Sequence, residues 1–350
     1  MDYRKSVRER FEKSLLGEDI EQPVYAVYDF FVQNRRQVDW QGLFSMGLGQ
    51  INHAPLIRHE HPNFIIEERT VQQEEYLRRD IYLKTERGEL HEWYLDNWRQ
   101  EYFIKSAEDY RIMIHALDDI TVYLDETAYW DSEASLGDRG ISLGTINGLG
   151  KGRTPLMVLQ IDWIGLEKWS YDVALEEPNM MELLDIMNEI KLQEVRCAAQ
   201  STAPHIKLWE NLSIETMGPV QYRNRLVPLY RKILTILRDA SKMLHVHYDG
   251  QLRIIADQIA DLDIFGIDSF TEAPEGNMTI EEAREAWPDK FLWLHPNLGW
   301  YYQSDADLEK SIRRAALEAG PTRFCMEISE DVPYDWERTI PVVLNALAQL

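Results

Sequence analysis

Cysteine is scarce: the 350 residues hold two, Cys197 and Cys325, far apart in sequence. Two distant thiols make no disulfide framework, so the fold has to rest on a buried apolar core. Basic residues are outnumbered, with 37 Lys and Arg against 60 Asp and Glu, a formal charge of −23. Nucleic acid and acidic membrane surfaces both require a basic face, so neither is an expected partner. No run of about 18 apolar residues occurs, so no membrane span is expected. The opening stretch MDYRKSVRERFEK lacks the apolar core of a secretory signal and reads as an amphipathic helix ending at Gly17. A cytoplasmic location is the expectation. Aromatic residues, by contrast, are plentiful. The 11 Trp and 17 Tyr suffice for a core and for a pocket that takes a flat ligand.

No internal repeat, low-complexity tract or long linker interrupts the chain, which predicts a single domain over 1–350. Residues 63–97 stand apart. FIIEERTVQ, YLRRDIYLKT and ELHEWYLDN alternate apolar and polar residues around a turn at Glu86-Arg87-Gly88, which predicts an antiparallel meander with one wet face. SAEDYRIMIHAL then opens a helix with Ser106 and Asp109 placed as a capping box. The second half is regular. HIKLWEN, MLHVH, IFGIDSF, KFLWLHPN and RFCMEISE are strand-like, and a helical run follows each, so five β-α units succeed one another. PVYAVYDFF, ISLGTI and PLMVLQID bring the strand count to eight. The predicted fold is α/β: a (β/α)₈ TIM-type barrel with an N-terminal antiparallel β embellishment. The glycine-rich stretch 148–152 lacks a downstream helix to present N–H groups to phosphate and reads as a loop.

Polar residues gather at the C-terminal ends of the predicted strands, where barrel enzymes place their chemistry. They are Glu210 and Asn211, then His245, His247 and Asp249, then Asp268 and Glu272, then His295 and Asn297, then Cys325 and Glu327. His245, His247 and Asp249 alternate with apolar Leu244 and Val246, so on a strand they share one face. Two imidazoles and a carboxylate in one column are costly unless something neutralises or coordinates them, and a divalent metal does so. Cys325 can add a thiolate, and a mixed N/O/S set suits zinc; its alternative is an inert core thiol. The candidate ligands on this reading are His247, Asp249 and Cys325. Candidate catalytic groups are His247, Asp249, Glu210 and Asp268; candidate substrate contacts are Asn211, His245, His295 and Asn297. His53, His59 and His61 fall in a proline-containing stretch without clear periodicity and read as exposed loop histidines. Arg35 and Arg36, after the first strand, read as ordinary surface residues.

Glu210-Asn211, Met217-Gly218-Pro219, a long helix with Val227-Pro228, and His247-Tyr248-Asp249-Gly250, in this order and spacing, resemble the uroporphyrinogen decarboxylase superfamily. Ile267-Asp268 and the turn Pro274-Glu275-Gly276-Asn277 follow. In the first half, Arg8-Glu9-Arg10-Phe11, the run 85–90 and Ile104-Lys105-Ser106 fit as well. The superfamily includes porphyrinogen decarboxylases and zinc-dependent methyltransferases that work with a corrinoid. The resemblance implies a metal held by a His-x-Cys pair on one strand and a Cys on the last. His247 matches the His, Asp249 replaces the first Cys, and Cys325 falls at the last; Asp268 or Glu272 would complete the set. Where porphyrinogen decarboxylases carry arginines after the first strand, this chain has Tyr28-Asp29-Phe30-Phe31, a poor match to a polyanionic tetrapyrrole.

The function these readings imply is metal-dependent methyl transfer between a small substrate, such as a methoxylated aromatic, and a corrinoid on a partner protein. Zinc is the expected metal. The alternatives are a metal-free decarboxylase or lyase using Asp249 or Asp268, and a metal-dependent hydrolase.

Overall fold

Strands β1 (Tyr25–Tyr28), β2 (Gly49–Pro55), β3 (Gly140–Thr145), β4 (His205–Leu208), β5 (Met243–His247), β6 (Gly266–Phe270), β7 (Phe291–Leu294) and β8 (Phe324–Ile328) run parallel. Each pairs with the next, and β1 pairs with β8, so the ring closes as the expected (β/α)₈ barrel. The computed structural model describes residues 6–20, 22–35 and 37–350. Arg36, and the first residues of the predicted N-terminal helix, lie outside them. Within the described residues the chain divides into two units. One holds the barrel, with residues up to 56, 125–145 and 201–350; the other holds 57–124 and 146–200.

In the barrel unit, local capping fixes where helices start. Thr279 and Glu282 form a capping box ahead of Ile280–Ala286, and Ser304 caps Asp305–Ala319. Tyr230, Ile233, Leu234 and Leu237 bury one face of Val227–Asp239 at helical spacing. Ser6 and Glu9 cap Val7–Leu16, which ends at Gly17 with φ +74°. That helix seals the floor of the barrel. Its Ser14 hydroxyl donates to Phe324 O at 2.7 Å, and Arg10 reaches the carbonyls of Gln22, Pro23 and Gly47.

In the second unit, the meander forms as predicted: Ile65–Gln73, Tyr76–Thr85 and Gly88–Leu95 pair antiparallel, with a fourth strand Trp98–Glu101. Ser106 and Asp109 cap Ala107–Leu117. PLMVLQID is not a strand. It forms helix Pro155–Val158 running into a π-turn, Leu159–Trp163. Pro155 sits at the first helical turn, where its missing N–H costs nothing, and a short run buried all round carries no period to separate helix from strand. The missing barrel strand is β2, within the stretch read as loop. Gln50 and Asn52 face one way, Asn52 donating to Ser132 of helix Thr127–Leu136 at 2.9 Å, while His53 faces the lumen, so polar groups on both faces hide the alternation. Among the described residues, no helix is long and apolar enough to cross a membrane.

Candidate functional site

Alternation along the strands stacks the inward side chains in layers. The deeper layer holds His205 on β4, His245 on β5, Trp293 on β7 and Cys325 on β8. Trp293 Nε1–H donates to His245 Nδ1 at 2.9 Å, so the His245 proton is on Nε2, which donates to His205 Nδ1 at 2.9 Å. Both nitrogens of His245 are thus committed within the wall. Burial holds His245 well below its usual pKa and His205 at about 4, so the pair is neutral. Gly266 makes the room: a Cβ there would lie 2.2 Å from His245 Nδ1. Burial pushes the Cys325 thiol well up, and its Sγ–H donates to Met326 O at 3.1 Å. Cys325 is a protonated core thiol in this layer.

One layer up, four strands converge on Lys207. Its ammonium lies 2.7 Å from Asp268 Oδ2, donates to Tyr28 Oη at 2.7 Å and to His53 Nε2 at 3.2 Å, and sits over the Trp209 ring at 3.8 Å. Tyr28 donates to Asp268 Oδ1 at 2.7 Å, and His247 Nδ1 meets Asp268 Oδ2 at 2.7 Å. Burial alone would raise the Asp268 carboxyl, but Lys207 and His247 hold it well below the usual carboxylate range. Burial works the other way on Lys207, lowering it, while Asp268 and Glu327 oppose that. The side chain of His53 is 6% exposed and not a loop histidine. Burial, then Lys207, pull it to about 4, so its Nδ1–H donates to Asp29 at 3.0 Å while Nε2 accepts from Lys207.

At the rim, ligand atoms of His247, Asp249 and Glu330 lie within 4.8 Å of one another. Asp268 occupies His247 Nδ1, which leaves Nε2 for this group. Burial raises the Asp249 carboxyl, with His247 opposing and Glu330 adding to the rise. Glu330, two residues past β8, accepts from Ser269 Oγ at 3.1 Å. Ser269 has φ +60°, and its N–H donates to Glu327 Oε1 at 2.9 Å. The donor set is one imidazole and two carboxylates crowded together, and it fits a divalent ion bound through nitrogen and oxygen. It contains no thiol.

The remaining predicted residues are placed as follows. Glu210 is buried beside Tyr222, Tyr230 and Tyr248, whose ionisation it opposes, and Asn211 is exposed with φ +47°. Glu272 pairs with Arg314 of helix Asp305–Ala319 and is not in the rim group. His295 and Asn297 are buried, and His295 Nε2, Asn297 Oδ1 and Glu327 Oε2 have no hydrogen-bond partner among the described residues. Burial holds His295 at about 4. Arg35 pairs with Asp331 at 2.8 Å. In the second unit, His59 is 7% exposed and lies 2.9 Å from Glu194, so it too is no loop histidine, whereas His61 is exposed. Lys207, His53, Tyr28, Trp209 and Glu330 are the residues sequence reasoning passed over. The period-2 column His205, Lys207, Trp209 was the available signal for two of them. A cavity of about 550 Å³ opens near the starts of β5, β6 and β7, but its cations are engaged: Lys290 by two backbone carbonyls, Lys242 by Ser201 O and Arg238 by Asp263.

No family model matches this chain, and no curated protein matches it. Among solved structures it is similar to a B12-independent methionine synthase from Shewanella sp. W3-18-1 in complex with selenomethionine, at 8% identity and TM-score 0.43, over 89% of this chain and 85% of that one. It is also similar to a xylose isomerase domain protein from Planctomyces limnophilus, at 13% identity and TM-score 0.39, over 94% of this chain and 95% of that one. Neither likeness bears on activity. The barrel stands on its own closed ring of eight strands.

Proposed function

We propose that this chain is a metal-dependent enzyme that moves a methyl group between a small oxygen-bearing substrate and a corrinoid carried by a partner protein. The observation that carries the reading is the rim group: His247, Asp249 and Glu330 together at the C-terminal ends of the strands. A divalent ion held there, zinc by its tolerance of mixed nitrogen and oxygen ligands, supplies Lewis acidity toward an ether or carbonyl oxygen. Asp268 fixes the face of His247 through Nδ1, as carboxylates behind metal-binding histidines do. Trp209, half-buried with its ring 5.8 Å from that of His247, offers a flat apolar surface to an aromatic substrate. Methyl transfer itself rests on the family resemblance carried by the motifs from Glu210 to Asn277.

The oxygen-rich donor set also supports a hydrolytic reading, since the same ligands suit activation of water. The lyase reading has less support, because Asp268 already accepts from three donors and is not free to stabilise a cationic intermediate. The test is metal analysis of wild type and His247→Ala, with turnover of methoxylated phenols in the presence of a reduced corrinoid. Bound metal, methylated corrinoid and loss of both in the variant are expected. A wild type that takes up no metal, with unchanged turnover in His247→Ala, sinks the reading; hydrolysis products without methyl transfer favour the second.

A further inference from the structure

Lys207 resembles a ligated ion more than an ordinary lysine. Its ammonium is fully buried and surrounded by a carboxylate (Asp268, 2.7 Å), a phenol oxygen (Tyr28, 2.7 Å) and an imidazole nitrogen (His53, 3.2 Å). The rings of Tyr28 and Trp209 enclose it, at 4.2 and 3.8 Å from their centroids. Carboxylate, phenol and imidazole are groups that hold a cation, and here a tethered one fills the place. The same Asp268 oxygen that meets Lys207 also meets His247 Nδ1.

Resting on the metal reading above, we propose that Lys207 is a positioning residue, a built-in cation that confines the metal to the rim and keeps Asp268 behind His247. A buried carboxylate without that countercharge is itself a ligand for an ion and is free to turn from His247. Lys207 and His247 share Asp268 Oδ2, while Tyr28 donates to Oδ1. Tyr28 and His53 anchor the ammonium from β1 and β2, so the arrangement spans four strands rather than depending on one side-chain torsion. The metal then meets His247 by Nε2 beside Asp249 and Glu330.

The experiment compares zinc and cobalt(II) affinity of wild type, Lys207→Met and Tyr28→Phe by competition with a chromophoric chelator, with far-UV circular dichroism confirming the fold. Lys207→Met is expected to weaken binding by about 10- to 100-fold, the range for loss of support behind a ligand. It should also alter the visible spectrum of the cobalt form, which a merely stabilising role would not move. Tyr28→Phe keeps the charge and removes one donor to Asp268, so a smaller loss is expected; it carries the test if Lys207→Met does not fold. Wild-type affinity and spectrum in the folded variants overturn the inference while leaving the rim site intact. A wild type that binds neither metal overturns the rim site itself, and this inference with it.

Discussion

His247 Nδ1 lies 2.7 Å from Asp268 Oδ2, across a register that pairs the two residues directly on β5 and β6. One nitrogen of the imidazole therefore belongs to the barrel wall, and only Nε2 remains for Asp249 and Glu330 at the rim.

On the proposed reading Glu330 is a ligand and Cys325, a thiol of the deeper layer, is not. Glu330→Gln is expected to weaken zinc binding at least tenfold, as loss of one charged ligand in three. Cys325→Ala should leave the affinity unchanged and cost on the order of 1 kcal/mol in stability through the small void it leaves. Chelator competition reads the first and urea unfolding the second. A Cys325→Ala protein that loses its metal would restore the thiol to the site.

Acid should unfold the metal-free protein in a defined window. Burial, the leading cause in each case, holds His53, His205 and His295 at about 4, against 6.5 for a free imidazole. Between those values the unfolded chain takes up protons that the folded chain refuses, so stability falls as pH falls from about 6.5 toward about 4. Each histidine contributes about 2 kcal/mol of loss between pH 7 and 5. Asp268 has the same sign in a lower window. Its carboxyl is held down in the fold, so its contribution is complete above about 4 and disappears only below that. Urea midpoints at pH 7, 6 and 5 check the window. A flat profile contradicts neutral buried histidines.

The barrel was legible because helices with readable caps follow strands whose apolar residues alternate, and that pattern repeats from His205 onward. The column His245, His247, Asp249 was legible for the same reason. Lys207 shows the same alternation in HIKLW, yet a lysine on a short strand reads as solvent-facing, because only tertiary partners such as Asp268 and Tyr28 make its burial tolerable. His53 was hidden by polar residues on both faces of β2. The choice between Cys325 and Glu330 turns on where β8 ends. A strand side chain at Cys325 lies in the deeper layer, while Glu330 follows the last paired residue and reaches the rim, a boundary that composition does not mark.

The second unit has its own buried charge cluster. Lys191 Nζ lies 2.5 Å from Glu194 Oε2, and Glu194 Oε1 meets His59 at 2.9 Å and the Leu149 N–H at 3.0 Å. The Lys191 contact is an ion pair by distance without hydrogen-bond alignment. Both charges are buried, so Glu194→Ala strands a cation in the core at about 3–5 kcal/mol, whereas Glu194→Leu with Lys191→Met together should cost much less. Urea unfolding of the three proteins decides it. A loss under about 1 kcal/mol for the single variant would show that water reaches Lys191.

His295, Asn297 and Glu327 present the reverse situation, polar atoms kept where stability gains nothing from them. His295 Nδ1 lies 3.2 Å from Glu327 O and Asn297 Nδ2 donates to Ala273 O at 3.5 Å, but His295 Nε2, Asn297 Oδ1 and Glu327 Oε2 are buried without partners among the described residues. An unpaired buried group costs about 1–3 kcal/mol, so a fold selected for stability alone would replace it. Retention of such a group next to the proposed metal site is the pattern expected of residues that function requires. Asn297→Leu is therefore expected to raise the unfolding free energy by about 1 kcal/mol while lowering kcat/KM for the methyl-transfer substrate at least tenfold. His295→Phe should follow the same trend. Both effects are needed. A variant that gains stability with unchanged kcat/KM marks the unpaired atoms as tolerated flaws of packing, and one that loses stability shows that the polar atoms have partners in solution.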